Sequence, residues 1–244
     1  MIELKKKNRV LLNSDNIKIV DIEVDDIKVN NHIEESSGLH GGTFYGVDYG
    51  TRKITLTFDK YINGLDDFNE QRRQMQKIFN QGECQLYLFD NAFINVTKNS
   101  EIDISRTGMV KMRCIAELIT TGLPYFESVE YDVQTFTNLA KINYNNKSDI
   151  TLDNRYTDTT ITITLAEAVN FYQISAGDVT WRYKKALQLG DQIVLKDATV
   201  FKGSKDLLED TTMNVLMLES GQNVMDILGS TQYTLEVKSK IYYY

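Results

Sequence analysis

The chain has 244 residues, with 34 acidic against 27 basic side chains and a net charge of -7. That length holds one large domain or two medium ones, with a core that needs no disulfide or metal staple. A pI near 5.0 argues against a phosphate-gripping surface, so no nucleic-acid contact is expected; 42% hydrophobic residues exclude a largely disordered chain.

Composition also sets the class of fold. There is one proline, where average usage would give about 12. It stands beside 14 Tyr and 10 Phe. Proline is excluded from central strands, while aromatic and β-branched residues favour them. The start, Met1 to Arg9, is charged and lacks an apolar signal region. No run approaches the ~18 apolar residues of a membrane span. A soluble protein made in a cytoplasm, without a membrane partner, is expected.

Taken in chain order, Ile17 to Val24 and Ile27 to Ile33 read as strands parted by the turn signal Asp25-Asp26. Gly38 to Gly42 reads as a flexible loop. From Lys53 to Phe58, Ile54, Leu56 and Phe58 alternate with threonines, the period of a half-buried strand. The period then lengthens. Asp66 to Gln81 is free of proline and glycine, and Phe68, Met75, Ile78 and Phe79 fall on one helical stripe. Gly82 stands where a helix-ending glycine belongs.

Strands resume at Cys84 to Phe89 and Phe93 to Thr97. Met109 to Ile119 alternates for a long stretch, with Val110, Met112, Cys114, Ala116 and Leu118 on one face. The polar stretch Asn91 to Gly108 is expected to form a projecting hairpin. Pro124 and Gly122 then punctuate the chain, and a domain boundary is expected near residue 130, giving domains 1–130 and 131–244. The second part holds short turn-separated runs, among them Thr160 to Leu165, Phe171 to Ser175, Val179 to Tyr183, Gln192 to Leu195, Asn214 to Leu218 and Tyr233 to Ile241. They predict a β-sandwich. The fold class is therefore mainly β with one amphipathic helix.

The chemistry-bearing residues predict no catalytic, cofactor or metal site. His32-Ile33-Glu34 matches only half of a zinc deaminase pattern, and Cys84 and Cys114 have no metal-ligand spacing. The other histidine, His40, flanks a glycine loop that leads into a strand pattern and lacks a following Gly-Lys-Ser or Gly-Lys-Thr, so it is no phosphate cradle. There is no nucleophile elbow. The adjacent pairs Asp25-Asp26 and Asp66-Asp67 read as turn and cap residues. Asn95-Val96-Thr97 and Asn146-Lys147-Ser148 match the glycosylation sequon by chance. Trp181 and Tyr183 read either as sandwich core or as a platform for sugar. The second reading makes the chain a carbohydrate-binding module for cell-wall glycan.

Element order carries a resemblance over nearly the whole chain. The stretch Gly46-Val47-Asp48-Tyr49-Gly50-Thr51-Arg52-Lys53 and its strand to Phe58, the helix, the strand–hairpin–strand and Leu123-Pro124-Tyr125-Phe126-Glu127-Ser128 follow one another. Leu189-Gly190-Asp191, Glu219-Ser220-Gly221-Gln222-Asn223 and the closing Tyr242-Tyr243-Tyr244 come after them. This order resembles the distal tail proteins of long-tailed, non-contractile bacteriophages. The resemblance implies an N-terminal belt domain of β-sandwich, helix and hairpin, then a galectin-like C-terminal β-sandwich. It implies a virion protein at the tail tip: a homohexameric ring and baseplate hub between the major tail tube protein and a tail-associated adhesion or lysin protein, with receptor-binding proteins held by the C-terminal domain. No enzymatic role follows from it. The galectin sugar motif is absent from the second half, since both histidines and the proline precede residue 130. The ring contact is expected in the N-terminal domain, at Arg52 and Lys53 of the alternating strand and at Glu101, Asp103 and Arg106 of the polar hairpin.

Overall fold

The computed structural model describes residues 2–7, 9–13, 17–35, 42–89 and 91–244, with backbone alone for 13, 33–35 and 42–47. The chain divides into two compact units between Phe126 and Glu127.

The first unit runs β1 (Glu3–Lys6), β2 (Arg9–Asn13), β3 (Lys18–Val24), β4 (Val29–Glu35), β5 (Gly42–Tyr49), β6 (Lys53–Tyr61), α1 (Gly64–Phe79), β7 (Cys84–Phe89), β8 (Ala92–Lys98), β9 (Asp103–Arg106) and β10 (Lys111–Thr120). The main sheet has the order β2-β1-β7-β8-β10-β6-β3, with β9 also paired to β10. β10 and β6 are antiparallel, with Cys114 opposite Phe58 and Ala116 opposite Leu56. Period-2 alternation therefore puts Ile54, Leu56, Phe58, Met112, Cys114, Ala116 and Leu118 on one buried face. β2 and β6 stand far apart in sheet order, yet Leu11 and Leu12 line one groove with Lys60 and with Met75 and Ile78 of α1. The sheet thus curls over its own apolar face, and α1 closes the core.

The helix begins two residues earlier than its sequence signals suggest and ends at Phe79. Asn63 gives no side-chain cap. Instead the Asp67 carboxylate accepts the Asn63 backbone N–H at 2.7 Å. Met75 and Phe79 are the buried residues of the stripe, while Phe68 and Ile78 pack at its margin, half-buried. Gly82 has φ +82°, the left-handed conformation that ends a helix at no steric cost.

The expected single arm over 91–108 is not what forms. Its first part is β8, whose Ala92, Phe93, Ile94 and Val96 are buried in the middle of the sheet. Its second part, β9, lies along β10 with Ile104 opposite Cys114. The apolar residues hidden among polar ones claim a place in the core. A separate two-stranded hairpin is made instead by β4 and β5, antiparallel with Val29 opposite Tyr49. Gly38, His40 and Gly41 of the glycine loop lie outside the described residues.

After β11 (Phe126–Ser128), the second unit runs β12 (Asp132–Thr137), β13 (Lys141–Asn146), β14 (Leu152–Asp153), β15 (Thr159–Leu165), β16 (Tyr172–Ala176), β17 (Val179–Tyr183), β18 (Gln192–Lys196), β19 (Thr199–Lys202), β20 (Lys205–Asp206), β21 (Met217–Leu218), β22 (Gly221–Leu228), β23 (Tyr233–Ser239) and β24 (Tyr242–Tyr243). One sheet has the order β12-β23-β15-β18-β19-β20, the other β13-β22-β16-β17. Their inner faces meet: the Tyr172 and Tyr233 rings are edge to face at 5.6 Å, and the Tyr144 hydroxyl lies 3.4 Å from Ser239 Oγ. Asn146, in a sequon, is buried and donates its amide to the carbonyls of Ile150, Leu218 and Glu219.

Candidate assembly surface

Among the described residues no group of three or more His, Cys, Asp or Glu is placed to hold a metal ion. The Glu34 side chain of the deaminase-like triplet lies outside the described residues. His32 Nε2 lies 2.6 Å from Asp48 Oδ2 across the hairpin of β4 and β5. Cys84 and Cys114 are free and buried. Burial pushes the Cys114 thiol up to about 12, which leaves it without the thiolate that reactivity needs. No described helix is long and apolar enough to cross a membrane.

Trp181 and Tyr183 are 1% and 4% exposed, inside the sandwich. Alternation along β17 sends both inward and Arg182 outward. The sugar-platform reading of these two residues is thereby corrected, because neither ring can present a face to a glycan.

The five residues expected at a ring contact separate into two groups. Arg52 and Lys53 serve their own unit. Arg52 donates Nε to the Asp25 carbonyl at 2.6 Å and sits over the Phe126 ring; burial pulls its guanidinium down, against Asp26 and Asp25. Lys53 Nζ donates to Glu117 Oε1 at 3.1 Å, a bond that raises its pKa. Glu101, Asp103 and Arg106 are exposed, Glu101 ahead of β9 and the other two at its ends.

Two further features of the first unit present unsatisfied surface. The hairpin of β4 and β5 pairs with no third strand among the described residues. Val29 and Tyr49 on it are 50% and 52% exposed. A lone two-stranded hairpin is marginal in water. At the turn after β9, Met109 and Val110 are exposed, as is Tyr61, and the Val110 carbonyl accepts the Ile62 N–H. Sequence reading missed this end of the sheet because each residue sits alone in its own window; only the pairing of Lys111 with Tyr61 joins them.

The pattern that defines the phage tail protein RIFT-related domain matches residues 6–166, and the chain belongs to that family. Its fold is that of the Dit protein (gp 19.1) of phage SPP1, described as a paradigm of the hub adsorption apparatus in phages infecting Gram-positive bacteria. That crystal structure superposes with a TM-score of 0.71 over 99% of each chain, at 9% identity. Two structures of the phage p2 baseplate in its activated conformation, with strontium and with calcium, give TM-scores of 0.37 and 0.36, each at 10% identity over 98% of each chain. No curated protein matches the chain. The expected resemblance is met at the level of family and fold.

Proposed function

We propose that this tail protein is the hub at the distal end of the tail tube, a homohexameric ring on which the tail tip assembles. The major tail tube protein docks on one side of the ring and an adhesion or lysin protein on the other. The second unit, a galectin-like sandwich, faces receptor-binding proteins. The chain carries no catalysis in this reading. Its support is the shared fold over 99% of the SPP1 hub chain, within a phage tail family.

A closed ring needs two different surfaces per subunit that meet heterologously. The hairpin of β4 and β5 supplies one, since its unpaired edges and exposed Val29 and Tyr49 need a neighbour to cover them. The exposed segment that carries Glu101, Asp103 and Arg106 supplies the other. Arg52 and Lys53, tied within their own unit, hold the sheet that carries both. The carbohydrate-module alternative loses its platform with the burial of Trp181 and Tyr183.

Gold-labelled antibody against this chain, imaged on assembled tails, tests the location. Label confined to the tip, where the tube ends, is the expected result. Label along the tube or at the capsid end overturns the hub assignment.

A further inference from the structure

The smaller sheet of the second unit ends at β13, which among the described residues pairs with β22 alone. The ladder runs from Lys141 opposite Asp226 to Asn146 opposite Gly221 without a shift of register. In such a ladder every second residue turns both backbone groups away from its partner strand. Asn145 is one of these, because its N–H and carbonyl go to Gln134. Lys141 and Asn143 share its parity, so their backbone groups lie along the same free edge. That edge lacks most of the usual protections of an edge strand. It is six residues long, has no proline and no bulge, and carries one charged side chain, Lys141.

A single side chain closes it. Gln134 of β12 donates Nε2 to the Asn145 carbonyl at 2.7 Å, and its Oε1 accepts the Asn145 N–H at 3.3 Å. The side-chain amide thus does what the peptide group of a neighbouring strand would do. It is also held in place. Nε2 donates to Asp132 Oδ2 at 2.7 Å, and Lys147 Nζ donates to Asp132 Oδ1 at 2.5 Å. The opposite end of the same sheet, at β17, is closed in another way. There the Thr212 N–H donates to the Arg182 carbonyl at 3.0 Å, the Arg182 N–H donates to Thr212 Oγ1 at 3.1 Å, and Asn214 Nδ2 donates to the Thr180 carbonyl at 2.7 Å. A stretch of chain covers β17, and one amide covers β13.

We propose that Gln134 is a built-in strand substitute that keeps the β13 edge shut against strand addition by a second copy of this chain. A second copy is the occupant that the sequence of the edge fits. With two β13 edges antiparallel about Asn143, Lys141 of each copy meets Asn145 of the other, so no like charges face each other. The side chains of the edge therefore permit the pairing. The Gln134 amide prevents it, by occupying the Asn145 groups that an added strand would use. This closure lies within the second unit and is separate from the contact proposed for the ring.

Site-resolved hydrogen exchange on dilute full-length protein reads the closure. The Asn145 amide is expected to be protected in the wild type and to exchange about tenfold faster in Gln134→Ala and in Gln134→Asn, whose amide is one methylene too short. The Tyr144 amide, which faces β22, is expected to keep its protection, and this separates an opened edge from an unfolded unit. Occupancy is read by Asn143→Cys with oxidised glutathione. Paired strands hold such residues about 5.5 Å apart between Cα atoms, within disulfide reach, and Cys84 and Cys114 are buried. A covalent dimer is expected when Asn143→Cys is combined with Gln134→Asn, and none when Gln134 is intact. Fast exchange at Asn145 in the wild type, or unchanged exchange in the variants, overturns the role of Gln134. Loss of Tyr144 protection in both variants overturns it too, because Gln134 then holds the unit together and guards no edge. A dimer in both backgrounds, or in neither, overturns the second copy as the occupant.

Discussion

Asp59 shows how one residue joins sequence pattern to stability. It lies on β6 directly opposite Arg113 of β10 and is 4% exposed. Arg113 grips it with Nε to Oδ1 at 2.9 Å and Nη2 to Oδ2 at 3.1 Å, and Lys111 stands 3.4 Å away. The Arg113 hydrogen bond, ahead of any other influence, holds the Asp59 carboxyl below its ordinary value of 3.8. A depressed carboxyl stabilises the fold above the unfolded-state value, and that stability is lost as pH falls through the folded-state value. Asp59→Asn is expected to cost about 1–3 kcal/mol at neutral pH. The difference from wild type is expected to shrink below about pH 4. Urea midpoints across pH 7 to 2.5 check this, and a difference that stays constant with pH contradicts it. None of this pairing is visible in either residue's own window; it depends on the register of two strands more than 50 residues apart.

Elements differed in how far the chain disclosed them. The α1 stripe was legible because a 3.6-residue period is local, and β10, β15 and β23 were legible because alternation is local too. The hairpin was not, because which strand pairs with which is decided by distant partners. Polar residues around Phe93 and Ile94 suggested an exposed arm, yet those two side chains fill the core. In the helix, Met75→Ala, at a buried position, is expected to cost about 2–5 kcal/mol. Ile78→Ala, at the margin, is expected to cost less. Equal midpoint shifts in chemical denaturation would show that the helix packs by a different face. For the hairpin of β4 and β5, replacing residues 30–48 by a short glycine bridge is expected to leave the circular dichroism that of a folded β protein and to abolish self-association in light scattering. Retention of full self-association contradicts its role as an assembly arm.

At the scale of the whole molecule, the second unit has its own means of closing. Ser128 N–H donates to the Ile241 carbonyl at 2.8 Å, and Ile241 N–H returns to Ser128 Oγ at 3.0 Å. The Tyr131 hydroxyl donates to Asp158 at 2.6 Å, and the Tyr131 ring lies beneath Lys238 and Lys240. The first residues of the unit are thus pinned to its last strands. Residues 127–244 expressed alone are expected to unfold in one cooperative thermal transition. A broad, non-cooperative melt would show that the unit depends on the rest of the chain. The pinning across more than 100 residues was not legible in the sequence, because it joins segments that no local window contains.

Ring formation is read from the mass of the purified chain in solution. Six copies of 28.0 kDa give roughly 168 kDa for a closed sixfold ring. Light scattering at micromolar concentration, alone and with the tail tube protein added, is expected to show that mass as a discrete species, with the tube-bound form larger by the tube subunits it recruits. A monomer of 28.0 kDa under both conditions, or an open series of sizes without a limit, contradicts the account.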